Sequence, residues 1–278
     1  MNTIPVTKRG QTMSYSVHEG VLELALNRAP CNEIGSLSLE DLESFSAALQ
    51  ELEPQLHAVI IHSERKAGFC AGADLRELYD RSQAMEKKAA IRGVRDFLER
   101  IHRVLNTIDA SALTTIAAVQ GVTFGGGLEL ALACDLIIAA DTAVFALPEP
   151  RVGLAALAGG LLRLPRQIGY KQAMGMILTG RRVTAAEGRE LGFVNEVVSS
   201  DALMATAKRW AAQIIECSPM SIRASKQIVR QGLEENTLED AYRAQTHYSA
   251  TRALFRSADL REGPLAFAQK RAPHWKAE

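Results

Sequence analysis

Three consecutive glycines, Gly125, Gly126 and Gly127, follow the apolar run 116–119, and an isolated acid, Glu129, stands two positions beyond them. That order constrains the backbone more than any other stretch of the chain. A buried strand has to stop there, because glycine offers a sheet no side chain to pack and frees the chain to turn. Glu129 falls where a helix would begin, and the amides and dipole of a helix N-terminus favour negative charge. Glycine backbone can also come close to a ligand and aim its N–H groups at it. The stretch therefore suits chemistry that creates an oxyanion beside an acid or base. Taken alone, it also suits a plain tight turn followed by a favourable first-turn charge. A second acid, Glu149, lies between Pro148 and Pro150 and by itself reads as a turn residue.

Periodicity places these residues on a framework. Strands over 14–17 and 21–26 flank His18, Glu19 and Gly20 as a hairpin. Leu39, Leu42, Phe45, Leu49 and Leu52 recur at spacings of three and four, which predicts an amphipathic helix ending near Pro54. A short buried strand over 58–61 leads to the small-residue turn 68–73, with Asp74 placed to cap a helix. Ile91, Val94, Leu98, Ile101, Leu105 and Ile108 mark a long helix, and 136–140 another strand. Strand, glycine turn and helix thus occur twice in order, the rhythm of an α/β protein whose loops line a site. Thr184 to Glu187 reads as a capping box, 193–198 as a last strand, and Ser218 with Pro219 as a helix start. Beyond about residue 200 only helical patterns follow. The expected division is an N-terminal extension over 1–13, a core over 14–200 and a helical region over 201–278.

With 278 residues, 47% of them hydrophobic, the chain can bury a substantial core. Lys and Arg together number 32, as do Asp and Glu, so no overall field draws nucleic acid or an acidic membrane. Cys31, Cys70, Cys134 and Cys217 form no C-x-x-C pair, which fits a reducing compartment. No run of about 18 apolar residues predicts a membrane span, and the first residues lack an apolar signal core, so a cytoplasmic location is expected. Phosphate-loop and G-x-S-x-G motifs are absent from the sequence. The six histidines have no metal-ligand spacing, and no metal is expected. His57 and His62 read as surface or edge residues. Cys70 reads as a small buried hydrophobe rather than a nucleophile.

The joint order of these motifs is more specific than any one of them. Phe69-Cys-Ala-Gly-Ala-Asp-Leu75, Ile116-Ala-Ala-Val-Gln-Gly121, Gly-Gly-Gly-Leu-Glu129, Cys134-Asp135, Phe145, Pro148-Glu149 and Gly153 resemble the signature of the crotonase family, the enoyl-CoA hydratases and isomerases. The resemblance continues through Leu178-Thr-Gly180, Ala185-Ala-Glu187, Glu262-Gly263 and Ala266-Phe267 to Lys270, covering about residues 14–274. It implies a spiral of ββα units in nearly perpendicular sheets, with a C-terminal helical region used to form trimers or hexamers built as dimers of trimers. It implies a coenzyme A thioester as substrate and no separate cofactor. By the same resemblance Ala73 and Gly126 donate backbone N–H groups to the thioester oxygen, and Glu129 and Glu149 act as the acid/base pair. Ala71 and Leu75 lie beside the adenine, and Phe267 and Lys270 reach the coenzyme from a neighbouring subunit. Members that isomerise usually keep only the later acid, so two acids favour the hydratases, with a place in fatty-acid β-oxidation.

Two departures bear on the substrate. Many members read P-G-A-G-G after the second acid, whereas this chain has Ala156-Leu157-Ala158-Gly159-Gly160, and Pro30-Cys-Asn-Glu33 replaces a commoner asparagine-alanine-leucine pattern. Leu78, Met85 and Val94 are candidates for the acyl pocket. The rival readings are an enoyl-CoA isomerase, a carnitinyl-CoA-type dehydratase or racemase, an aromatic hydratase-lyase, and a catalytically silent CoA- or RNA-binding homologue. Neutral net charge and two intact carboxylates weigh against the last.

Overall fold

The strand over Ala58–Ser63 is buried on both faces: Val59 and Ile61 enter one hydrophobic core, Ala58 and Ile60 a second. Such a strand has to lie inside a sheet covered on both sides. In the computed structural model, which describes residues 7–278, it does. The strands in chain order are β1 (Thr7–Arg9), β2 (Met13–His18), β3 (Val21–Leu26), β4 (Ala58–Ser63), β5 (Gly68–Cys70), β6 (Thr114–Val119), β7 (Val122–Phe124), β8 (Leu136–Ala140), β9 (Val144–Ala146), β10 (Val183–Thr184) and β11 (Glu196–Val198). They form a seven-stranded sheet, β1-β2-β3-β4-β6-β8-β11, and a four-stranded sheet, β10-β9-β7-β5. The hairpin pairs β2 with β3 antiparallel, and from β3 to β11 every pairing in the large sheet is parallel. In the small sheet β5, β7 and β9 are parallel and β10 closes the edge antiparallel.

The helices are α1 (Ser36–Leu52), α2 (Leu75–Ala84), α3 (Lys87–Ala110), α4 (Gly126–Leu132), α5 (Gly160–Gln167), α6 (Tyr170–Thr179), α7 (Ala185–Leu191), α8 (Leu203–Ile215), α9 (Pro219–Gly232), α10 (Leu238–Gln245), α11 (Ser249–Arg256) and α12 (Asp259–Ala268). Each turn of the chain therefore gives one strand to the large sheet, the next to the small sheet, and then a helix: β4, β5, α2; β6, β7, α4; β8, β9, α5. This is the ββα spiral that the resemblance implies. The glycine turns read after 58–61 and 116–119 contain short strands of their own, β5 and β7, three residues each. They are too brief for alternation to register.

The apolar stripes account for the layering. Leu39, Leu42, Phe45 and Leu49 of α1 and Ile101, Val104, Leu105 and Ile108 of α3 join the larger core with Phe69 and Phe145. Leu203, Ala207 and Ala211 of α8 cover the opposite face of the large sheet over Ile60, Ile116 and Ile138. The boundary at 201 thus marks a change of secondary structure, while α8 still packs on the core.

Several local expectations are corrected. The part of the N-terminal extension over 7–13 is tied to the core: β1 pairs along the free edge of β2, and the Thr12 amide and hydroxyl donate to Asp41 at 2.7 and 2.8 Å. Residues 1–6 lie outside the described residues. The last strand shortens to Glu196–Val198, since the amides of Phe193 and Val194 close the end of α7 on the Gly188 carbonyl. Thr184 caps α7 by accepting from the Glu187 amide, but the Glu187 carboxylate turns to Arg181 instead of completing the box. His57 and His62 are half-buried, and burial pushes both imidazoles below their ordinary pKa.

Candidate active site

Parallel strands β5, β7 and β9 stand side by side, so their C-terminal ends open on one edge, where parallel sheets commonly bind ligands. Ala73 follows β5, Gly126 opens α4 after β7, and Glu149 follows β9. One edge thereby gathers three residues that are far apart in sequence, and α4 adds Glu129 from its first turn.

The backbone there is shaped by close approach. Gly125 has φ +50°, and a Cβ on it would lie 2.6 Å from Glu149 Oε1. A Cβ on Gly127 would lie 2.7 Å from the Cys70 Cβ, so α4 can touch β5 only with glycine at that position. Gly126 is the first helical residue, so its N–H has no helical carbonyl to bond. Ala73 bridges Ile34 in parallel register, with Ile34 N–H donating to Gly72 and Asp74 N–H to Ile34. Ala73's own N–H therefore points the other way. A Cβ on Gly72 would meet the Gly126 nitrogen at 3.4 Å, which measures how closely the two loops approach.

Both acids are held in surroundings that favour their neutral forms. Glu129 is 3% exposed and accepts the Gly160 N–H at 2.8 Å. Burial is the largest cause pushing its pKa up, to about 7; the Gly160 N–H opposes the rise and the Glu149 charge adds to it. Burial also raises Glu149, whose Oε2 is buried without a hydrogen-bond partner. A buried, unpartnered carboxyl oxygen is costly to keep, and such groups concentrate at functional sites.

Glu129, Glu149, Ala73 and Gly126 line one cavity of about 200 Å³. Beyond them much of its wall is apolar, from Leu78 and Met85 to Val94, Phe97, Leu98 and Ile101. Asp74 and Glu77 also line the cavity, with their charges already engaged. Asp74 pairs with Arg28 and caps α2, while Glu77 accepts the Ser36 amide and hydroxyl beside Arg81. Leu78, Met85 and Val94, the sequence candidates for the acyl pocket, lie in its wall. Phe97 and Ile101 also line it and carry no sequence signal for that role, because one apolar stripe on α3 serves the core at its C-terminal end and the cavity nearer its start.

Other anticipated residues stand apart. Leu75 is half exposed at the start of α2, and Ala71 spends its N–H on the Cys31 carbonyl; neither lines the cavity. Phe267 is 87% exposed at the end of α12, and Lys270 follows with φ +55°, both away from the cavity of their own chain. Cys70 is fully buried, and burial pushes its thiol to about 12, which suits packing rather than nucleophilic attack. Among the described residues, no group of three or more His, Cys, Asp or Glu side chains is placed to hold a metal. No described helix is long and apolar enough to cross a membrane.

Comparison with known proteins agrees with this architecture. Residues 16–278 match the family model described as enoyl-CoA hydratase/isomerase. A carnitinyl-CoA dehydratase of Citrobacter koseri is 36% identical over 274 residues, covering 96% of this chain and 98% of that protein. The Escherichia coli K12 protein of that name is 38% identical, with 95% and 99% covered. Among solved structures, an enoyl-CoA hydratase from Bacillus anthracis superposes with TM-score 0.87 at 32% identity, covering 96% of this chain and all of that one. A Geobacillus kaustophilus structure gives TM-score 0.88 at 30% identity, covering 99% of this chain and 100% of that one.

Proposed function

This chain belongs to the enoyl-CoA hydratase/isomerase family, and from that premise we propose that it adds water across the double bond of a 2-enoyl-CoA to give a 3-hydroxyacyl-CoA. The observation that carries the reading is the pair of carboxyls, Glu129 buried and Glu149 half-buried, over one cavity with the amides of Ala73 and Gly126. An isomerase moves one proton and needs one such group; hydration moves two, one from water and one to carbon.

Glu129 takes a proton from water as the water oxygen bonds to C3. The double-bond electrons shift toward C2 and the thioester, and the charge on the thioester oxygen is met by the Ala73 and Gly126 N–H groups. Glu149 then gives its proton to C2, and proton exchange with solvent resets the pair. A base with a pKa near 7 is well poised for neutral pH. Fixed backbone donors cost no reorganisation as charge develops, and loss of one such donor typically costs about 100- to 1,000-fold in rate. The coenzyme A part of the substrate is proposed to run past Ala71 and Leu75, with Phe267 and Lys270 supplied by a second copy in a homotrimer or a hexamer of two trimers.

The names of the relatives raise a second reading, dehydration of a trimethylammonium-bearing hydroxyacyl-CoA. The cavity favours a neutral acyl group: beyond Glu129 and Glu149 its lining is mostly aliphatic, and Asp74 and Glu77 already have partners, Glu77 beside Arg81. A panel of neutral, aromatic and trimethylammonium thioesters tests both, read as loss of the conjugated-thioester absorbance and as water incorporated at C3. Isomer formation without water uptake would refute hydration, and turnover confined to the cationic thioester would establish the second reading instead.

A further inference from the structure

The loop over 154–160, between Glu149 and α5, is tied to α3 at two points that the reaction as described does not use. His102 Nε2 lies 2.6 Å from the Leu157 carbonyl oxygen; since a carbonyl only accepts, Nε2 carries the hydrogen. Arg163 spans the same gap from the other side. Its guanidinium reaches the Ala158 carbonyl at 3.4 Å, Asn106 Oδ1 at 2.9 Å and Asp109 at 3.4 Å. The side chain is 15% exposed and lies over Gly159, in the space a Cβ there would occupy.

This loop supplies the direct hydrogen-bond partner of Glu129. The Gly160 N–H donates to Glu129 Oε1 at 2.8 Å. A Cβ on Gly160 would lie 3.1 Å from Glu129 Cγ, so loop and acid are already in contact. Gly159, with φ +121°, and Gly160 carry no side chain to fix the segment, and residues 154–160 contain no proline. A proline would restrict such a loop directly.

We propose that His102 and Arg163 are positioning residues: they latch loop 156–160 to α3 so that the Gly160 amide stays on Glu129. The inference rests on the acid/base reading of Glu129. The charged or titratable groups facing Glu129 are Glu149 from the turn after β9, Arg163 from α5 and Cys70 from β5. An N–H bonded to the ionised carboxylate lowers its pKa, so releasing Gly160 raises it further. The limb of the pH–rate profile that reports the base then moves to higher pH.

The test uses full-length His102→Ala and Arg163→Lys proteins, the second keeping the charge while losing the forked donor set. Three quantities are read: kcat against pH with a 2-enoyl-CoA, KM, and hydrogen exchange across 157–161. We expect kcat at pH 7 to fall about tenfold, within the roughly 100-fold that a small misplacement can cost. KM should stay within about twofold, the limb should move to higher pH, and exchange should quicken. If His102→Ala fails to fold, His102→Gln, which keeps an N–H donor, carries the comparison and should fall between it and the parent. Unchanged exchange overturns the latch whatever the kinetics. Faster exchange with an unmoved limb overturns its link to Glu129. Glu129→Gln then separates the cases: full turnover of enoyl-CoA by that variant would mean that the acid/base reading itself has failed.

Discussion

Replacing Glu129 with Gln should make the protein more stable and less active, and the gain in stability should depend on pH in a calculable way. Glu129 is 3% exposed, and burial raises its pKa from the ordinary 4.5 to about 7. For an acid whose pKa is raised by folding, the folded state is favoured fully below the unfolded value and loses ground as pH rises toward the folded value. The cost accrues between about pH 4.5 and 7 and is constant above. At about 1.4 kcal/mol per unit it reaches on the order of 3 kcal/mol by pH 8 and is under about 1 kcal/mol at pH 5. Glutamine carries no charge, and its side-chain oxygen can still accept the Gly160 N–H. The advantage of Glu129→Gln over the parent should therefore grow by about 2 kcal/mol between pH 5 and pH 8. Urea denaturation of both proteins at the two pH values measures it, at one fixed protein concentration because assembly would add to apparent stability. The same variant should lose about 100- to 10,000-fold in kcat, the usual worth of a general base. An advantage that stays flat between the two pH values, or a variant less stable than the parent at pH 8, would refute the claim that Glu129 is held at a cost to the fold.

The remaining predictions are simpler. Glu149→Gln should also abolish most turnover with little change in KM, and it should remove an unpartnered buried oxygen's charge without unfolding the protein; steady-state kinetics and circular dichroism check both. Gly127→Ala should be destabilising by several times the about 1 kcal/mol typical of a point change, because its Cβ would fall 2.7 Å from the Cys70 Cβ and part α4 from β5; the thermal midpoint reports it. Iodoacetamide at pH 8 should label exposed Cys217 and spare Cys31, Cys70 and Cys134, which are buried and whose thiols burial pushes up; rapid labelling of Cys70 in the native protein would contradict its place in the core.

What could be read in advance tracks how far each signal extends along the chain. Helix α3 and the stripe of α1 repeat over several turns, and β4, β6 and β8 each contain an unbroken apolar run of four or five residues, so the pattern finds them. The strands β5, β7 and β9 have three residues each and carry no repeat to detect, although they build the edge on which the candidate site stands. Glu129 and Glu149 were legible as isolated acids in unusual company. His102 and Arg163 were not, because their partners are carbonyl oxygens and a neighbouring helix, and nothing in the chain near either residue marks such a contact.

The spacing of the motifs is what the spiral makes of this short sheet. Three parallel strands ending on one edge have to be separated by whole ββα turns, since each next small-sheet strand is reached only after a helix and a large-sheet strand. Ala73 and Gly126 are far apart in sequence because α2, α3 and β6 lie between their strands; Gly126 and Glu149 are nearer because α4 is short. A helix of seven residues cannot carry Glu129 far from the glycines at its start, so donor and acid stay together on one rigid element while the second acid arrives on the next turn. The two carboxyls thus come from different elements but face one cavity. Each is then buried by what positions the other: the loop after Glu149 covers Glu129, and the glycine at the mouth of α4 leaves the space that the Glu149 carboxyl fills.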